Sequence, residues 1–556
     1  MLFFLLNSRP SGDSKHFMVL AVPDLLTARA RVRVDVGALK QTLVFAFAAG
    51  SPQEAFDDAV AGAALPSSSW HRSTFARDLY VDELVDKLLR ARIDGKTQRV
   101  ASRYVARVLA APPSDMADVD VRRGVLSELA GSPAKRLEIE RIYLAIVRIR
   151  DLLCAARQPA PRVRRVEILR AAKDAFDLLA GAFDGSSSAL QRVRAFGRAV
   201  LASQAYARLA SFLEYDDHLA ALEIRVRVGA DGEVRAMQLV GVRENRRNPF
   251  YVPLLSRLLV RLALFVRGFR TTPGEIAERL LLDVFSGLEE PLVLLFQLLG
   301  DMDVLLGSLS FRDLAVQAGL PACLPTFVEP EAPLEIVNLY NPLLLAAGIS
   351  PIPCDVRAGP RAIVVVTGPN SGGKTRLLQS LATTQLLAQA GLFVPARSAS
   401  LAPATGLFAS LFEEAHSEQR EGHLGMELLR IRRLFDEADA DALVVLDELC
   451  SGTNPSEGEE IARLVLSLLP ALGVRAFVTT HLLALAAALR ADPSSDLEFL
   501  QVELEEGERP TYRFVPGVAR TSLAHKTAAR LGVTRDELVA LIAAKGSKRA
   551  AASQKG

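Results

Sequence analysis

Three short apolar runs break a chain that is otherwise patterned largely with the helical period. Ile363-Val364-Val365-Val366, Ala442-Leu443-Val444-Val445-Leu446 and Val474-Arg475-Ala476-Phe477-Val478-Thr479-Thr480 show almost no polar alternation, as strands of a parallel sheet covered on both faces should. Residues 65 to 220 and 250 to 320 read as mostly helical, punctuated at Pro112-Pro113 and at Gly185-Ser186-Ser187-Ser188. Between them Leu222 to Val228 alternates, Gly229-Ala230-Asp231-Gly232 turns, and Val234 to Val240 returns. This predicts a β-hairpin at the tip of two helical arms. No internal repeat stands out.

The first apolar run leads into Gly368-Pro369-Asn370-Ser371-Gly372-Gly373-Lys374-Thr375, and Arg376 to Ala390 reads as a helix. Strand, G-x-x-x-x-G-K-[ST] and helix together make a phosphate-binding P-loop. Its glycines let successive backbone N–H groups converge on phosphates at a helix N-terminus, where the dipole favours anions. Lys374 reaches the β- and γ-phosphates, and the Thr375 hydroxyl binds Mg²⁺. The second run ends in Asp447-Glu448. At the C-terminal end of a buried strand, Asp447 is placed to hold Mg²⁺ and Glu448 to orient and deprotonate a water, which favours hydrolysis over phosphoryl transfer. An acidic strand end can also simply cap the next turn. The third run ends in His481, a candidate γ-phosphate sensor or an ordinary hydrogen-bonding residue. Ser451-Gly452-Thr453-Asn454-Pro455-Ser456 lies between the last two strands, either facing a partner subunit or as a plain surface loop.

These residues resemble the ATPase domain of the MutS mismatch-repair proteins. Where that family has T-G-P-N-M-G-G-K-S-T, this chain has Thr367-Gly368-Pro369-Asn370-Ser371-Gly372-Gly373-Lys374-Thr375-Arg376. Further likenesses are Phe393-Val394-Pro395-Ala396, Asp447-Glu448 followed by Gly452-Thr453, and Thr480-His481. Pro516-Gly517, Ser522-Leu523-Ala524 and Leu531-Gly532-Val533 echo the closing segment, while Asp303-Val304-Leu305, Pro325-Thr326-Phe327 and Asn341-Pro342 resemble the approach to the domain. Thr375 after Lys374 is similar to the bacterial branch without a mismatch-reading domain. The resemblance implies an ABC-like α/β P-loop ATPase domain over 335–535, preceded by a mainly α-helical core and lever over 65–334 with a reduced clamp hairpin at 222–242. An N-terminal segment, 1–64, is left unassigned, and 536–556 forms a C-terminal helix and basic tail. It further implies ATP and Mg²⁺ as cofactors, and a homodimer that closes around duplex DNA with ATP sites completed across the dimer.

The chain departs from the family pattern at several places. No F-x-E wedge motif occurs in the first two hundred residues, and Phe212-Leu213-Glu214 lies in a helical arm. The signature serine that reaches the partner's γ-phosphate aligns with Gly422, which leaves three alternatives: slow hydrolysis, substitution by His423, or a gap that brings Ser417 into place. The adenine-stacking aromatic before the P-loop aligns near Pro351. Tyr512 aligns with the second stacking residue, although a strand tyrosine can equally be plain packing. Beyond Leu541 the short basic tail leaves no room for an Smr nuclease domain.

Composition adds limits. With 556 residues, two or three domains are expected. No unbroken apolar stretch reaches the roughly eighteen residues of a membrane helix, and Met1 to Leu6 lacks the basic flank of a signal peptide. Cys154, Cys323, Cys354 and Cys450 show no C-x-x-C pairing, which points away from zinc or a disulfide framework. A cytoplasmic protein is expected. A net charge of +2 gives no global nucleic-acid signal. Local clusters at Arg90, Arg92, Lys96, Arg99, Arg103 and Arg107 and at Arg162, Arg164, Arg165 and Arg170 are either DNA contacts or solvated faces, and a basic patch, Arg243-Glu244-Asn245-Arg246-Arg247, follows the hairpin. The competing functional reading is an ATP-switched dimer that holds a protein or ribosome partner. A P-loop kinase fits less well, because Glu448 and His481 serve water attack.

Overall fold

The computed structural model describes residues 21–99, 101–155, 161–217, 220–228, 234–244, 281–411, 423–449, 454–493, 495–505, 509–521 and 533–542. The chain divides into two interleaved compact units, residues 1–64 with 127–302 and residues 65–126 with 303–556. Residues 65–126, which the sequence groups with the helical core, therefore cluster with the α/β part.

In the first unit, amphipathic helices pack through Ile142, Ile146, Phe176, Leu179 and Phe196, all fully buried or nearly so. Ser132 caps the helix Pro133–Cys154 by accepting from Lys135 N, with Pro133 at its first position. The N-terminal stretch is tied down by buried charge. Arg33 lies between Asp24 and Asp301, its backbone N–H donates to Gln297 Oε1 (2.6 Å), and Arg192 donates to the carbonyls of Asp24, Thr27 and Ala28. Arg164, only 3% exposed, donates to the carbonyls of Ala46 and Phe47 at the end of helix Val36–Ala49, and to those of Leu152, Leu153 and Ala155 at the end of Pro133–Cys154. A guanidinium at two helix C-termini meets both the orphan carbonyls and the negative dipole ends. Arg165 donates to Phe47 O and Ala48 O. Two members of the second basic cluster are thus structural donors. The hairpin strands Ala220–Val228 and Val234–Glu244 pair antiparallel as their alternation predicts, while Asn245, Arg246 and Arg247 lie outside the described residues.

The second unit is built on a six-stranded sheet: β1 (Ile363–Thr367), β2 (Leu407–Ser410), β3 (Leu443–Leu446), β4 (Arg475–Thr479), β5 (Leu497–Leu504) and β6 (Pro510–Pro516). The order is β2-β3-β4-β1-β5-β6. All neighbours are parallel except the antiparallel pair β5 and β6. Every residue of β1, β3 and β4 is buried, including Arg475, because helices cover both faces of the sheet. Val365, Val444 and Val478 pack with Ala462, Val465, Leu466 and Leu485.

Edge strand β2 is covered by residues 69–78. Ser69 donates to Thr405 O, the Trp70 indole to Ala404 O (2.9 Å) and Thr74 to Leu407 O (2.6 Å), while Asp78 Oδ2 accepts from Leu411 N (2.9 Å). In the first basic cluster, Lys96, Arg99 and Arg103 are exposed and Arg90 pairs with Asp86.

Among the described residues, one helix, Glu289–Gln317, is apolar and long enough by length and composition to cross a membrane, yet its most apolar window is entirely buried within the protein. It is a core helix. Its polar residues have buried partners: Asp303 accepts from Ala101 N, and Gln297 donates to Arg31 O.

Candidate functional site

Parallel strands β1, β3 and β4 end side by side, and the loops leaving their C-terminal edge carry the sequence-predicted chemistry. The loop after β1 turns on Gly368 at φ 144° and Gly373 at φ 85°. A Cβ on Gly368 would lie 2.5 Å from Val502 Cγ2, so both backbone angle and space require glycine there. Pro369 is buried, whereas Asn370 and Ser371 are exposed. Helix Lys374–Gln389 starts directly after Gly373.

Lys374 is 3% exposed, and its Nζ donates to Gly368 O (3.0 Å) and Pro369 O (3.2 Å). Burial lowers the pKa of its ammonium, with the carboxylates of Glu448 and Asp447 pulling the other way. An ammonium held among carbonyls inside a glycine loop suits a polyanion that can take over its charge.

Asp447 is gripped from a helix and a strand. Thr375 Oγ1 donates to its Oδ2 (2.5 Å) and Thr479 Oγ1 to its Oδ1. Thr479 also accepts from Glu448 N (2.8 Å), so one hydroxyl fixes both acids. Glu448 is half-buried and adopts φ 50°, a left-handed conformation uncommon outside glycine that marks functional turns. Asp447 and Thr375 bring hard oxygen donors together, the ligand type that suits Mg²⁺. His481 is exposed just beyond β4, after Thr480, whose N–H donates to Val366 O (3.1 Å). Thus Gly368, Asp447 and His481 leave one edge of the sheet.

Tyr512 sits on β6 at φ 60°, and a Cβ on Gly373 would lie 3.2 Å from its ring. Tyr512 and Phe514, two apart on the strand, line a cavity of about 310 Å³ with Gly373, Arg376, Pro351 and Ile352. That is a pocket of nucleoside scale. Asn341 braces it. Its Oδ1 accepts from Leu343 N and Leu344 N, and its Nδ2 donates to fully buried Gln379 (2.7 Å). Ile352 and Phe514 do not figure in the sequence reading, Thr479 figures only as part of the third apolar run, and Asn341 only as part of the approach to the domain. The i, i+2 aromatics in Thr511 to Phe514 were the available signal for Phe514; an isolated polar residue such as Thr479 gives none. Gly422, Ser417 and Ser451 to Thr453 lie outside the described residues, as do Ser522 to Ala524.

Comparison with known proteins gives a consistent picture. Residues 364–540 match the family model for MutS domain V. Proteins named Endonuclease MutS2 are 38% identical over 190 residues in Thermomicrobium roseum (33% of this chain, 24% of that one) and 35% over 204 residues in Thermus thermophilus (37% and 27%). The protein of that name in Streptococcus equi subsp. equi is 32% identical over 241 residues (42% and 29%). The chain spans between about a quarter and a third of the length of these relatives.

Proposed function

We propose that this chain, whose residues 364–540 match the family model for MutS domain V, is a MutS-like, ATP-hydrolysing, DNA-binding homodimer that closes around duplex DNA when ATP binds. The carrying observation is the arrangement in which Thr375 and Thr479 hold Asp447 while Thr479 fixes the backbone of Glu448. In this reading the glycine loop cradles the phosphates and Lys374 exchanges its carbonyl partners for phosphate oxygens. Thr375 and Asp447 would hold Mg²⁺, which supplies charge neutralisation at the phosphates. Glu448 accepts the proton of the attacking water, and His481 stands at the γ-phosphate end. Tyr512 stacks on the base from the cavity wall. The endonuclease activity in the relatives' name is not carried over, since the alignments reach only part of those proteins.

The test is duplex binding by the purified protein across a salt series. Counterion release makes phosphate-dominated affinity fall steeply and linearly on a log–log scale, and a flat profile would remove DNA as the partner. Homoduplex and single-mismatch duplexes should differ by less than about tenfold, roughly 1.4 kcal/mol, because the sequence carries no wedge motif near its start. A larger preference would place mismatch reading elsewhere, with residues 1–64 the first to examine.

A further inference from the structure

A cavity of about 190 Å³ lies behind the metal-side carboxylate, lined by Asp78, Ser410, Glu427, Arg430 and Asp447 among others. A short hydrogen-bond path skirts it. Asp78 Oδ2 accepts from Leu411 N (2.9 Å), the first residue past β2. The preceding carbonyl, Ser410 O, accepts from Asp447 N (2.8 Å), and Ser410 Oγ accepts from Arg430 Nη1 (3.3 Å). Only one peptide unit therefore separates the atom Asp78 holds from the atom that holds Asp447.

From this path we infer that Asp78 is a positioning residue for ATP hydrolysis, setting through Leu411 and Ser410 the place of the Asp447 carboxylate; the inference rests on the ATPase reading above. The reason is geometric. Leu411 N lies beyond the β2 ladder, so Asp78 supplies its acceptor, and a partly buried N–H without one would pull the strand end toward another partner. Because β2 and β3 are in parallel register with Ser410 opposite Leu446, movement at Ser410 is passed directly to the first residue after β3. Asp447 must meet Thr375 and Thr479 at once, so a small displacement breaks one of the two. Burial raises the Asp78 pKa, while Leu411 N–H, Arg430 and Arg77 pull it down. Asp78 also ends the strap that begins at Ser69, so upstream chain is wired to the hydrolytic edge.

The experiment compares Asp78→Leu, which has no acceptor, with Asp78→Asn, which retains an oxygen for Leu411 N. Mg²⁺ half-saturation is read both from ATP turnover and from nucleotide binding, with melting temperature alongside. Asp78→Leu should lose about tenfold in turnover and raise the Mg²⁺ half-saturation concentration several-fold, with metal-free ATP affinity unchanged within about twofold. Asp78→Asn should stay within about threefold of the parent. If Asp78→Leu only lowers the melting temperature, leaving turnover and Mg²⁺ dependence in place, Asp78 is a plain structural tie and the inference fails. It also fails if Asp78→Asn is as impaired as Asp78→Leu. A parent that binds Mg-ATP but does not hydrolyse it overturns the ATPase reading instead, and the Mg²⁺ dependence of binding still decides the role of Asp78.

Discussion

Thr479→Val removes one oxygen and adds one methyl carbon, at a buried site with almost no change of shape. The structure gives that oxygen two jobs, donating to Asp447 Oδ1 and accepting from Glu448 N. Losing the first leaves Thr375 as the carboxylate's remaining side-chain donor among the described residues; losing the second frees a backbone held at φ 50°. A hydrogen bond to a charged group is worth about 1.5–3 kcal/mol and a neutral one about 0.5–1.5. If about half of that total, roughly 1–2 kcal/mol, is felt in the transition state, turnover falls between about fivefold and thirtyfold. Binding should be nearly untouched, because the glycine loop and Lys374 follow the neighbouring strand β1 rather than β4. Steady-state hydrolysis with an independent nucleotide titration separates the two, and Thr479→Ser should recover most of the rate. A valine variant with parental kcat, or one whose only defect is weaker nucleotide binding, would refute the assignment of Thr479 as the residue that orients both acids.

Three further outcomes are expected. Lys374→Ala should lose most ATP affinity in equilibrium titration, since no other side chain in the loop carries positive charge to the phosphates; unchanged binding would dismiss the P-loop reading. Glu448→Gln should give, by light scattering, a dimer that persists with Mg-ATP while the parent dimer dissociates once ATP is consumed, and a variant that stays monomeric with ATP bound would rule out sites completed across the dimer. Burial raises the Asp301 pKa to about 6 against the opposing pull of Arg33; a carboxyl raised in the folded state contributes stability that is full below the unfolded value near 3.8 and is lost as pH rises through about 6. The stability of the parent relative to Asp301→Asn should therefore be greater at pH 4 than at pH 6.5 in denaturant titrations, and a difference independent of pH would contradict this.

What could be read from sequence follows from what each element shows locally. β1, β3 and β4 announce themselves because burial on both faces removes the polar alternation, and the hairpin strands Ala220–Val228 and Val234–Glu244 because their residues alternate in polarity around a glycine-containing turn sequence. The glycine loop is legible because its backbone angles demand particular residues. By contrast, the sheet formed by Thr326–Phe327, Ser398–Leu401, Leu334–Leu339 and Cys354–Ala358 has strands of two to six residues, too short to display a period. Arg164 and Arg165 look like solvated charge because the partners they share, the carbonyls ending helix Val36–Ala49, are 117 and 118 residues away. Helix Lys374–Gln389 buries Gln379, Thr383 and Thr384 completely, so its polarity conceals that it is a core element. The grouping of 65–126 with the α/β unit was hidden for the same reason: its ties to β2 are single side-chain bonds to distant carbonyls.

The strap over β2 has a consequence for synthesis. Trp70 and Thr74 leave the ribosome more than 330 residues before Ala404 and Leu407, the carbonyls they bond. At about 5–20 residues per second, that interval lasts on the order of tens of seconds. Throughout it the indole, Phe75 and Leu79, nearly or wholly buried in the finished protein, have no strand to cover, and the intervening helical unit is made first. The nascent chain thus carries an early apolar segment that matures only when late sequence arrives, which makes it a natural point for chaperone engagement and for misassembly when translation stalls.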